Sequence, residues 1–152
     1  MTAPDGFGPD GSGIDPRGPR FTATVTAVVL AAALLTPPAV ATWLIAVQAV
    51  CFAIGVGLGV QHTPTGLVFR SVVRPRLTPP DDLEDARPPR FAQGVGLAFA
   101  VVALVGYLTG AVLVAQIAVG LALVAALLNA AAGFCLGCEI YLLGLRVLRR
   151  PA

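Results

Sequence analysis

The sequence predicts an all-α membrane protein: a four-transmembrane-helix bundle built as two helical hairpins in a parallel repeat, each followed by a short interfacial segment. Three observations carry that prediction. Of 152 residues, 57% are hydrophobic and only 12% charged, with a mean hydropathy of +0.85, whereas a soluble domain carries roughly 25% charged residues. Residues 21–69 and 91–138 contain no Asp, Glu, Lys or Arg, and each block is long enough for two crossings of about 20 residues. The third observation is a repeat: D-P-R-G-P-R-F at Asp15–Phe21 returns as D-A-R-P-P-R-F at Asp85–Phe91, each copy directly before an apolar block. A soluble enzyme does not fit this composition.

In chain order, residues 1–19 are mostly Gly, Pro, Asp and Ser with little to bury, and read as a disordered tail. Residues 20–150 read as one transmembrane domain. Its first span is expected over 21–36, stopped by Pro37-Pro38, because proline lacks an amide proton and restricts the residue before it. The second span is expected over 39–60, running into Gly55, Gly57 and Gly59. Ala39-Val40-Ala41 has the small-x-small pattern of a signal cleavage site. Cleavage there would release no soluble domain, so four crossings are counted.

Residues 61–90 form a loop with five arginines and the acidic run Asp81, Asp82, Glu84, Asp85. Within it, Leu67–Val73 is expected to lie as a short helix at the interface. The third and fourth spans are expected over 91–108 and 111–133, separated at Thr109-Gly110. An amphipathic segment over 139–150 closes the chain with Arg146, Arg149 and Arg150. The two copies of the repeated block are separated by two crossings, so both enter the membrane in the same direction.

All ten basic residues are Arg, and with four crossings all ten fall on one side of the membrane. Positive residues stay on the cytoplasmic side, so a multi-pass cell (inner) membrane protein with both termini cytoplasmic is expected. A net charge of +2 is too small for a nucleic-acid binder, and the apolar blocks name the lipid bilayer as the partner.

The chemistry-bearing feature is Cys135-Leu136-Gly137-Cys138, followed by Glu139. Two cysteines at this spacing can close a small disulfide ring, pass a disulfide to a partner, or give two thiolates to a metal. They can also simply pack as small apolar residues. A reducing cytoplasm favours a dithiol, a catalytic pair or a metal site over a permanent disulfide. If a helix breaks at Gly133 and another starts near Cys135, the free amides of that first turn favour the thiolate.

His62, the only histidine, falls at the loop entrance that corresponds to the Cys pair. It is a candidate proton acceptor or third metal ligand. Glu139 is a candidate to take a thiol proton or to pair with Arg90. Gln93 and Asn129 are polar at comparable depth and are expected to hydrogen-bond between helices, with substrate contact as the other role. Cys51 is read as structural, and Arg20 and Arg90 are expected to reach lipid phosphates. No phosphate-binding glycine loop, H-E-x-x-H, serine nucleophile motif or paired intramembrane carboxylates occur, and no cofactor is identified.

The blocks Asp15–Phe21, Phe69–Leu77 (F-R-S-V-V-R-P-R-L), Pro88–Gly96 (P-P-R-F-A-Q-G-V-G) and above all Asn129–Tyr141 (N-A-A-A-G-F-C-L-G-C-E-I-Y) resemble a family of small bacterial, often actinobacterial, integral membrane proteins: domain of unknown function 4395. The resemblance covers about residues 14–150 and brings no assigned activity. It implies sulfur or disulfide chemistry at Cys135 and Cys138, with a thioredoxin-like or rhodanese-type protein as partner. The leading reading is a thiol-disulfide or sulfur-relay component. A small homodimeric carrier for a sulfur-containing solute and a non-catalytic membrane scaffold stand beside it.

Overall fold

A computed structural model describes residues 13–149; the expected tail at residues 1–12 lies outside them. The described residues form six α-helices, with an isolated β-bridge and no strands: α1 (Arg17–Leu35), α2 (Pro38–Leu58), α3 (Pro64–Val68), α4 (Arg87–Thr109), α5 (Val112–Ala132) and α6 (Leu136–Leu148). Four of them, α1, α2, α4 and α5, are long and apolar enough to cross a membrane. Their 19, 21, 23 and 21 residues give lengths of about 28–35 Å at 1.5 Å per residue, against a hydrocarbon core of about 30 Å.

Both α1 and α4 start four residues earlier than the apolar pattern indicates, at Arg17 and Arg87. Prolines in a first helical turn forfeit no hydrogen bond, so Pro19, Pro88 and Pro89 do not delay the helix. The residues flanking the two starts, Pro16 and Ala86, have no side-chain acceptor. The aspartate one position earlier supplies it: Asp15 Oδ1 accepts the Arg17 amide at 3.0 Å, and Asp85 Oδ1 accepts the Arg87 amide at 2.9 Å. Residues 13–19 are thus ordered rather than part of a tail. Ile14 and Asp15 are buried, and Ile14 exchanges two backbone hydrogen bonds of 2.9 Å with Glu84.

Around the bundle the helices follow the order α1, α2, α4, α5, with the most extensive packing of α2 on α4 and of α1 on α5. The core is Leu30, Ala33, Ala41, Ile45, Phe52, Ala100, Ala103, Ala115, Ala118 and Val119. Most of it belongs to the half of the bundle nearer the two hairpin turns. These residues are mainly small, which lets the backbones approach closely. A Cβ on Gly106 would stand 2.9 Å from the Ala115 backbone nitrogen. Gln48 of α2 donates to Thr26 of α1 at 3.4 Å, a buried hydrogen bond between helices that the apolar pattern gave no reason to expect.

The opposite end of the bundle gathers the arginines. Arg17 pairs with Asp15 at 2.9 Å and donates to the Thr78 carbonyl at 2.9 Å. Arg90 donates to the carbonyls of Val56 and Gly57 at the end of α2. It thus caps carbonyls that have no partner within their own helix. The expected interfacial helix at 67–73 is longer: α3 continues through a widened turn at Phe69–Val73 and a tightened one at Arg74–Arg76. Two aromatic contacts recur at this end, Phe21 with Phe69 at 5.8 Å and Phe91 with Tyr141 at 5.5 Å.

Candidate functional site

Gly133 ends α5 in the left-handed conformation, at φ +67°, where a side chain would crowd the following carbonyl. Its amide bonds back to Asn129, and the Phe134 amide bonds to Leu128, closing the helix. Two residues later α6 begins. Cys135, in an extended conformation, is its N-cap, and Cys135 Sγ accepts the Cys138 amide at 3.3 Å. The break that the sequence left conditional is therefore present, and the Cys pair spans a helix N-terminus.

Cys135 and Cys138 are bonded to each other as a disulfide with their Cα atoms 5.2 Å apart, and both are half-buried. Helix α6 packs on α4. A Cβ on Gly137 would lie 2.7 Å from Ala92 Cα, so glycine between the cysteines is what lets this turn sit against α4. One turn further on, Tyr141 rests on Phe91.

Behind the disulfide lies a cavity of about 350 Å³ lined by α1, α2, α4, α5 and α6. Cys135 lines it together with Gln93, Asn129, Thr22 and Thr26, within otherwise apolar walls. Gln93 packs on Gly55 of α2. Neither the Gln93 nor the Asn129 amide makes a side-chain hydrogen bond among the described residues, so the expected bonds between helices are not formed there. Both residues are half-buried, so their amides stay accessible from the cavity.

The structure does not bring His62 to the cysteines. Its Nδ1 is 2.7 Å from the Leu58 carbonyl, and it lines a separate cavity of about 340 Å³ with Asp15, Gln61, Arg70 and Arg74. Among the described residues, no three of His, Cys, Asp and Glu come together as metal ligands, which removes the geometry for His62 as third ligand. Glu139 is exposed and forms no salt bridge among the described residues, so the pairing with Arg90 is not made. In the same region the Arg17 side chain, hydrogen-bonded to Asp15, holds that carboxyl below its ordinary range.

Sequence reasoning found the cysteines but not the cavity. Its walls come from five helices and only a three-dimensional arrangement joins them. Neither a curated protein nor a solved structure matches the chain. A family model, domain of unknown function (DUF4395), matches residues 14–146. With the specific Asn129–Tyr141 block inside that match, the chain belongs to the DUF4395 family.

Proposed function

We propose that the protein is a membrane thiol-disulfide exchange component whose reacting atoms are the sulfurs of Cys135 and Cys138. One observation carries this reading: the N-cap position of Cys135, whose sulfur receives an amide proton from the first turn of α6. A thiolate there is stabilised by a hydrogen bond and by the helix dipole, and a stabilised thiolate is a good leaving group.

The exchange follows. A thiolate of a soluble dithiol protein attacks Cys138 Sγ; the S–S bond breaks and its electron pair leaves on Cys135. The partner's second thiolate then attacks the mixed disulfide and displaces Cys138, which takes up a proton. Two electrons have passed to the pair, and the partner leaves oxidised. Glu139, next to Cys138, is the proton carrier for that thiol. A thioredoxin-like protein is the partner class. A bilayer position with both termini and the arginine-rich loop on the cytoplasmic side accompanies this reading, supported by the collection of arginines at one end of the bundle. The hydrogen bonds shared by the Asp15 and Asp85 blocks and the two recurring aromatic pairs support a repeat of two hairpins.

The test uses the full chain with Cys51→Ser in lipid nanodiscs, mixed with reduced thioredoxin and quenched with a mass-tagging maleimide. Both thiols should become taggable, and a thioredoxin that keeps only its attacking cysteine should be found bonded to Cys138. Failure of thioredoxin to reduce the pair, while dithiothreitol still does so, overturns the reading.

A further inference from the structure

We propose that the cavity beside Cys135 binds the ring of a membrane-dissolved quinone, which takes the two electrons collected by the cysteine pair; this rests on the exchange reading above. Three features of the cavity converge on that chemistry. First, it is walled by apolar side chains and extends along α5 from Asn129 to Leu121, eight residues or about 12 Å. Among its lining residues Leu121, Val124, Leu136 and Ile140 are exposed, and α6 packs on α4 while hardly touching α5. The cavity therefore opens sideways, toward the acyl chains of a surrounding bilayer, and its occupant reaches it from lipid.

Second, two polar residues that line it, Gln93 on α4 and Asn129 on α5, have side-chain amides with no hydrogen bond among the described residues. Each offers N–H donors suited to the carbonyl oxygens of a quinone, and such a ligand would satisfy groups that the protein leaves unpaired. Third, the reactive group that lines it is Cys135 and not Cys138, the sulfur on which the exchange leaves a thiolate. At about 350 Å³ it lies at the small end of ligand pockets, roughly 300–1,000 Å³. That suits one ring with its tail left in lipid.

The electrons balance without a further reagent. The Cys135 thiolate adds to a ring carbon, forming a C–S bond and sending an electron pair to one carbonyl oxygen, which takes a proton. The Cys138 thiol loses its proton, and the resulting thiolate attacks Cys135 Sγ. The disulfide forms, the C–S bond breaks, and its electron pair returns to the ring, where the second oxygen takes a proton. A dithiol and a quinone become a disulfide and a hydroquinone.

The experiment uses the full chain with Cys51→Ser in nanodiscs, reduced and freed of reductant without oxygen, then given decylubiquinone. One hydroquinone should appear per disulfide formed. Asn129→Leu, which conserves volume, removes one donor and should raise the quinone concentration for half-maximal rate about fivefold to tenfold, as loss of one hydrogen bond of about 1–1.4 kcal/mol implies. Ala125→Phe, which fills the cavity, should abolish the reaction. In both variants reduction by thioredoxin should proceed at the wild-type rate, which also shows that they are folded. Quinone that leaves the dithiol unoxidised, or oxidises it equally well in both variants, overturns the inference while thioredoxin exchange stands. Loss of thioredoxin exchange in the parent protein overturns the exchange reading itself.

Discussion

The N-cap position of Cys135 makes a quantitative prediction about thiolate formation. In a Cys51→Ser background, Cys138→Ser leaves Cys135 as the sole thiol and keeps the Cys138 backbone amide, whereas Cys135→Ser leaves Cys138 alone. The sulfur of Cys135 accepts the amide of residue 138 at 3.3 Å at the start of a helix of 13 residues. A negative charge at a helix N-terminus gains about 0.3–1 kcal/mol when exposed and up to about 2 kcal/mol when partly buried. For the half-buried Cys135 about 1.4 kcal/mol is appropriate, which favours the thiolate about tenfold.

The rate of iodoacetamide alkylation against pH should therefore have its midpoint about one pH unit lower for Cys135 than for Cys138. A more stable thiolate is also a weaker nucleophile, with a Brønsted slope of about 0.4–0.5, so at pH 7 the rate advantage shrinks to about threefold. The midpoint is the better readout, because it does not depend on how easily the reagent reaches each sulfur. In denaturant the two profiles should coincide. Coincident midpoints in the folded protein, or a lower one for Cys138, would refute the argument and remove the leaving-group role of Cys135.

Gly133→Val should destabilise the protein by about 1–2 kcal/mol, the cost of a side chain in the left-handed region, while Gly133→Asn costs less; thermal melting in detergent measures both. Gly137→Val would drive a side chain into Ala92 of α4 and should loosen α6 by about 1–3 kcal/mol, seen as faster hydrogen exchange confined to that helix. The lowered pKa of Asp15 means that its contribution is complete above the ordinary carboxyl value of about 3.9 and is lost as pH falls through the lowered folded value. Asp15→Asn should cost about 1–2 kcal/mol at pH 7 and lack the part of the acid-induced drop expected from Asp15 in the parent protein, as thermal melting against pH would show. A tag inserted in the Thr78–Pro89 loop should resist external protease in intact cells, and cleavage there would reverse the membrane orientation.

The run pattern of apolar residues by itself determined that the chain forms four helices long and apolar enough to cross a membrane. A bilayer demands runs of about 20 apolar residues and internally satisfied backbones, and both constraints are local in sequence. The uncharged blocks, the prolines after Thr36 and the glycines at 110 and 133 carry that information directly. Helix starts were less legible, because Asp15 and Asp85 serve as acceptors from one position outside the usual cap. The Cys135/Cys138 pair was visible as spacing.

That the pair meets a helix N-terminus follows from the local left-handed cap at Gly133, while the seating of that N-terminus against Ala92 of α4 is tertiary. The separation of His62 from the cysteines, the bonding of Arg90 to carbonyls of α2, and the free amides of Gln93 and Asn129 around one cavity are all relations between distant segments. Side-chain periodicity reports which face of a helix is apolar. It does not report which helix stands opposite, and that neighbour decides whether a polar group is paired, capped or left open to a ligand.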